Sequence, residues 1–156
     1  FTVYGPWGRP DMSYFLFTKA ILEGKSIDIY NFGDMNRDFT YIDDIIESLF
    51  RLINKTPKPN KNFDDKNPIA SSSWAPHKIF NIGNSNKVKL IDFIKIIEKE
   101  IGIKAIKNFL PMQMGDVHST LAETSLLEEY IDFKPQSSLE YGIKKFIEWY
   151  RRFYSK

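Results

Sequence analysis

The chain has 156 residues, of which 42% are hydrophobic and 15% aromatic, and its 22 basic and 20 acidic side chains leave a formal net charge of +2. That length suits one domain with a core, the aromatic content excludes a disordered polymer, and the near balance of charge argues against nucleic-acid or membrane-surface binding. The lack of cysteine excludes disulfides and thiolate metal sites, and the two histidines, His77 and His118, lie too far apart in sequence to suggest a metal centre.

Thr2-Val3-Tyr4 is a strand that ends at Gly5-Pro6. Asp11, after Pro10, is the expected N-cap of a helix over Met12–Glu23, stopped by Gly24. "SIDIYN", Ser26–Asn31, alternates and is β-branched, so a short strand is expected, followed by the turn-rich "NFGDMN". "RDFTYIDDIIESLFRLI" begins extended and becomes a helix, with Ile42, Ile45, Ile46, Leu49 and Ile53 along one face.

Lys55–Pro76 has no periodicity and is rich in Pro, Asn, Ser and Lys, which predicts a mobile surface loop. "KIFNIG", Lys78–Gly83, is the next expected strand. Leu90, Phe93, Ile94, Ile97 and Ile101 define an amphipathic helix that Gly102 stops. "AIKNFL" is a further strand, "PMQMGDVHST" a loop and Glu123–Tyr130 a short helix. Ser137 and Glu140 form a capping box for the last helix, whose face includes Leu139, Ile143, Phe146, Ile147 and Tyr150. The pattern is mixed α/β, with short strands between helices. No apolar run reaches membrane length and no signal peptide is visible, so cytoplasmic residence is expected.

"FTVYGPWGRPDM", "AILEGKSIDIYNFGDMNRDFTYIDDI", "IFNIG" and "PMQMGDVHSTLAET" occur in this order. Together they resemble the C-terminal half of extended short-chain dehydrogenases of the nucleotide-sugar epimerase/dehydratase family, and are most similar to bacterial UDP-glucuronate 4-epimerases of capsular polysaccharide synthesis. The resemblance covers nearly all of the chain except Lys55–Pro76. It implies that residues 1–156 are the substrate-binding part of a Rossmann-type enzyme, and that the NAD-binding half, with its glycine-rich loop and catalytic Tyr-x-x-x-Lys pair, lies outside them. A start in mid-strand fits such a fragment. No dinucleotide fingerprint is present. Two Tyr-x-x-x-Lys matches, Tyr130/Lys134 and Tyr141/Lys145, are set aside as chance: Pro135 disfavours helix at Lys134, and the second pair lies in the last amphipathic helix. No catalytic residue is therefore expected in this chain.

The resemblance also implies site residues. Arg37, in "MNRDFTY", matches the arginine that holds the diphosphate, and a guanidinium fork suits phosphate oxygens. The alternative is a surface arginine paired to Asp38 or Asp44. Arg9 is a second diphosphate candidate, on a loop stiffened by Pro6 and Pro10. Thr2 matches a threonine that touches the sugar carboxylate. Oxidation of glucuronate at C4 gives a β-keto acid prone to lose carbon dioxide, so an epimerase must hold that carboxylate out of the leaving geometry. Ile27, Asp28, Ile29 and Tyr30 are implied to contact uracil through their backbone, and Asp116 to sit near the ribose. Gln113 stands where the family often has arginine, which places more weight on Arg37 and Arg9.

Asp43 and Asp44 resemble an acid/base pair, but the first turn of a helix favours negative charge in any case. The expected partners are a UDP-sugar and a second copy of the parent protein, with no nucleic acid and no membrane. Alternatives are a UDP-glucuronate decarboxylase, a dTDP-glucose 4,6-dehydratase, or a binding module without catalysis.

Overall fold

The computed structural model describes residues 2–155. β1 (Thr2–Tyr4) runs parallel to β3 (Asn36–Tyr41), with Thr2 opposite Phe39 and Tyr4 opposite Tyr41. β4 (Lys87–Lys89) pairs antiparallel with the first half of β3, Val88 facing Arg37. A second, two-stranded parallel sheet joins β2 (Ser26–Ile29) to β5 (Ile106–Phe109). Ser26-Ile27-Asp28-Ile29 alternates as a strand with one buried face should: Ile27 and Ile29 go inside, Ser26 and Asp28 outside.

Three helices close over the sheets: α1 (Ser13–Leu22), α3 (Leu90–Ile101) and α5 (Leu139–Tyr154). Their apolar stripes make an aromatic-rich core with Phe39 and Tyr41 of β3. Phe39 stacks on Phe93 at 4.5 Å between centroids, and Tyr14 meets Phe146 edge-on at 4.9 Å. Each such ring removed from water stabilises the fold by about 1.5–3 kcal/mol. The α/β class expected from the sequence is the one observed. No helix of the described residues is long and apolar enough to cross a membrane.

Three local expectations are corrected. Asp11 does not cap α1: the helix starts at Ser13 after an extended Met12, and the Asp11 carboxylate accepts from Arg9 instead. Lys78–Gly83 is not a strand beyond an isolated bridge from Lys78 to Ser72. Its groups are used otherwise: Phe80 packs on Tyr130 at 4.8 Å, and the Asn81 amide donates to Glu123 O. The ladder forms later, at β4. The N-cap of α5 is Ser138, whose Oγ accepts from Tyr141 N–H at 3.2 Å. Ser137 is drawn away because its N–H and hydroxyl both donate, at 3.0 Å each, to the Asp44 carboxylate.

α2 spans Ile42–Ile53. The helix forms as expected, with Asp43 and Asp44 in its first turn. Its buried residues are Asp44 and Ser48, while Ile46, Leu49, Phe50 and Ile53 stay exposed. The Asp44–Ser137 bonds dock the polar side of the helix, so Ile46, Leu49 and Ile53 point outward, while Ile42 at its start packs against the core.

Residues 55–76 contain no helix or strand, apart from Ser72 of that isolated bridge. α4 (Ser125–Ile131) is a short helix set beside α2.

Candidate functional site

Successive strand residues alternate between faces, so Arg37, Phe39 and Tyr41 share one side of the sheet with Thr2 and Tyr4. The ring contacts of Tyr4 with Phe39 and Tyr41 follow from this. Thr2 stands opposite Phe39, two residues along β3 from Arg37. Standard strand spacings then put the Thr2 and Arg37 backbones about 8 Å apart. Thr2 is half-buried.

The Gln113–Thr120 segment comes to Arg37 from far along the chain. It turns through Gly115, at φ 83°, and runs beside the start of β3. Asn36 N–H donates to His118 O at 3.0 Å and Thr120 N–H donates to Asn36 O at 3.3 Å. This brings Asp116 Oδ1 to 2.7 Å from Arg37 Nη2, across 79 residues of sequence. Arg37 Nη1 donates to Asn36 O at 2.8 Å and His118 O at 3.3 Å. Arg37 thus pairs with neither Asp38 nor Asp44, and two of its five N–H donors remain for an incoming oxygen. Asp116 Oδ1 also accepts from Val117 N–H at 2.8 Å, so both of its bonds fall on one oxygen and Oδ2 is left to accept from a hydroxyl.

Arg37, Asp116 and Asp28 line one cavity of about 120 Å³, with Phe17, Tyr30 and Met35 among its walls. Phe17, Asp28 and Tyr30 also wall a larger neighbouring cleft of about 410 Å³ between α1 and β2. Ile27 and Ile29 turn their side chains into the core, and Asp28 accepts from Asn108 Nδ2 at 2.8 Å. β2 pairs with β5 on one edge and carries no second strand among the described residues, so its other backbone edge is unladdered.

The remaining candidates lie apart. Arg9 is exposed, bonded to Asp11, and lines a different cleft of about 350 Å³ with Val3, Trp7 and Tyr14. The Gln113 side chain is exposed, and its carbonyl accepts from Asp116 N–H at 3.3 Å.

Sequence reasoning missed Phe17 and Met35, whose only signal was apolar character, and expected only the backbone of Tyr30 to take part. It also missed the role of Asp38, a carboxylate in the middle of an otherwise buried strand.

The two Tyr-x-x-x-Lys matches have other occupations. Tyr130 donates to Lys55 O at 3.0 Å, while Lys134 lies 3.5 Å from Glu128. Lys145 lies 3.5 Å from Glu148 and above the Tyr141 ring. Burial pushes the Tyr41 phenol up to about 12, which does not suit a base at neutral pH.

A Cβ at Gly8 would collide with the Tyr14 hydroxyl, and one at Gly5 with the Ile42 side chain. The Gly5–Gly8 loop is thus packed against its own chain, with no open cradle for a pyrophosphate. Among the described residues there is no cluster of three or more His, Cys, Asp or Glu side chains able to hold a metal.

The sequence profile of the NAD dependent epimerase/dehydratase family matches residues 1–83. Protein CapI of Staphylococcus aureus is 49% identical over 156 residues, all of this chain and 47% of the relative. A probable UDP-glucuronate 4-epimerase of Rhizobium meliloti is 48% identical over 157 residues, again all of this chain and 46% of the relative. The crystal structure of the UDP-glucuronic acid 4-epimerase of Bacillus cereus, in complex with UDP-glucuronic acid and NAD, superposes with a TM-score of 0.80 at 32% identity, over 99% of this chain and 44% of that one. The chain spans about half the length of the curated relatives it matches. It belongs to the NAD dependent epimerase/dehydratase family.

Proposed function

We propose that this chain is the nucleotide-sugar-binding half of an NAD-dependent UDP-glucuronate 4-epimerase, an isomerase. The observation that carries this reading is the meeting of Arg37, Asp116 and Asp28 around one cavity beside the open edge of β2. The names of the Rhizobium meliloti and Bacillus cereus relatives support the choice of sugar. Arg37 grips the diphosphate with its two uncommitted donors, Asp116 Oδ2 accepts from the ribose, and the backbone of Ile27–Ile29 receives uracil. Thr2, on the face of the sheet that carries Arg37, holds the sugar carboxylate by a hydrogen bond. Arg9 and Gln113 lie apart from this cavity and are left out of the grip.

NAD, held by residues outside this chain, supplies the oxidation and re-reduction of C4. This chain's residues supply orientation, which converts substrate binding into rate. The parent protein is a cytoplasmic homodimer in this reading.

The test is calorimetry of UDP binding to the full-length protein. Loss of a charge-assisted contact to phosphate costs about 1.5–3 kcal/mol, so Arg37→Ala weakens UDP roughly ten- to a hundredfold. Asp43→Ala, an exposed first-turn substitution in α2, leaves it unchanged. Equal and small effects of both would remove Arg37 from the diphosphate.

A further inference from the structure

Asp38 follows Arg37 in β3 and points to the opposite face, where it is fully buried. It cannot touch a ligand that Arg37 holds. Its Oδ2 accepts from two backbone donors, Ala122 N–H at 2.9 Å and Ser85 N–H at 3.1 Å. Its own N–H donates to Thr120 Oγ1 at 3.2 Å. One residue thus joins β3 to two segments that lie 37 residues apart in sequence.

Those segments also bind each other. Ser85 Oγ donates to Ala122 O at 3.0 Å and lies 2.5 Å from Thr124 Oγ1. Ser85 is held at φ 52°, a left-handed conformation that a residue with a Cβ enters only under constraint. Gly83 lets the loop close, because a Cβ there would collide with Ala122. Asp38 Oδ1, in contrast, has no hydrogen-bond partner although it is buried.

A buried carboxylate with an unpaired oxygen is an expensive way to fill a strand position that valine or threonine would fill with ease. What Asp38 does in return is to fix residues 120–122 against β3. The same stretch of chain, four residues earlier, carries Asp116, and His118 lies between them. These two hold the Arg37 guanidinium.

We propose that Asp38 is the positioning residue of this site: it sets the Asp116–Ala122 segment on β3 and so aims the Arg37 guanidinium at the diphosphate. The inference rests on the reading of Arg37 as the diphosphate ligand, and its test has one arm that does not depend on that reading. In the full-length protein, Asp38→Ala and Asp38→Asn are compared with wild type by hydrogen–deuterium exchange. Asp38→Ala should speed exchange at least tenfold in peptides covering Ser85 and Val117–Ala122, and leave α3 and α5 as they are. Asp38→Asn, which keeps an acceptor oxygen for both N–H groups, should restore most of the protection. Faster exchange throughout the chain would show a plain stabilising role and overturn the proposal, as would no change at Val117–Ala122.

The second arm is UDP affinity by calorimetry. Asp38→Ala should weaken UDP five- to twentyfold in the wild-type background and clearly less beside Arg37→Ala, where only the Asp116 contact is left to lose. Equal losses in both backgrounds would overturn the coupling. If Arg37→Ala alone leaves UDP affinity intact, the diphosphate assignment has failed, and the exchange arm still decides whether Asp38 sets the segment. Should Asp38→Ala not fold, Asp38→Val, a β-branched residue suited to a strand, carries the same comparison, with the same faster exchange and loss of affinity expected and wild-type values in both overturning the proposal.

Discussion

Glu98, near the end of α3, is 3% exposed and carries the junction on which β5 hangs. Its carboxylate accepts from Lys107 Nζ, from Ala105 N–H at 3.0 Å and from Lys104 Nζ at 3.2 Å. Burial pushes the carboxyl up, but these donors outweigh it and hold it below its ordinary value. A carboxyl depressed in the fold contributes stability that is fully present above its unfolded value and is lost as pH falls through the folded one. The window is therefore below about pH 4.5. Hydrogen bonds to a charged group are worth about 1.5–3 kcal/mol. Lys104, 85% exposed, adds little to that sum. Glu98→Gln, which keeps an acceptor of the same length, should cost about 2–3 kcal/mol at pH 7, or a Tm lower by about 5–10 °C for a chain of this size.

The measurement is urea unfolding of wild type and Glu98→Gln followed by circular dichroism at pH 7 and pH 3. The gap between them should be clearly smaller at pH 3 than at pH 7, because the contribution of a depressed carboxyl is lost as pH falls. A gap of the same size at both pH values, or none at pH 7, would refute the reasoning. The consequence reaches the site, because β5 pairs with β2, whose Ile27–Ile29 edge borders the cleft.

Two further outcomes test the function. Thr2→Val keeps the β-branched shape and removes the hydroxyl, so the full-length protein should lose about ten- to a hundredfold in affinity for UDP-glucuronate but not for UDP. Mass spectrometry should then also detect a UDP-4-keto-pentose, from carboxylates freed into the leaving geometry, whereas clean pentose formation by the wild type would favour a decarboxylase. The 156-residue chain alone should not turn over UDP-glucuronate when NAD is added, because its Gly5–Gly8 loop is packed on its own chain and the side chains of both Tyr-x-x-x-Lys matches are engaged elsewhere. Turnover free of contaminating enzyme would contradict the assignment of NAD binding and the tyrosine–lysine pair to another segment.

The sequence by itself determined the parts that depend on near neighbours. The 3.6-residue spacing of Leu90, Phe93, Ile94, Ile97 and Ile101 defines α3, and Gly102, in the left-handed conformation at φ 81°, ends it. The alternation of Ser26–Ile29 defines β2 in the same way, and the order of short motifs was enough to indicate the family. Tertiary structure alone decided where the polar groups went. Arg37 had acidic neighbours at Asp38 and Asp44 in sequence, yet pairs with Asp116, because residues 118–120 lie beside β3. Ser137 fits a capping box equally well on paper, but Asp44 reaches it from another helix and passes the cap to Ser138. The stripe of Ile46, Leu49 and Ile53 gives a helix its period but not the direction of its face, which the Asp44 anchor fixes. Periodicity acts through the backbone over one or two turns, whereas a buried donor or acceptor takes whichever partner the whole fold brings within 3 Å, and that partner has no fixed distance along the chain.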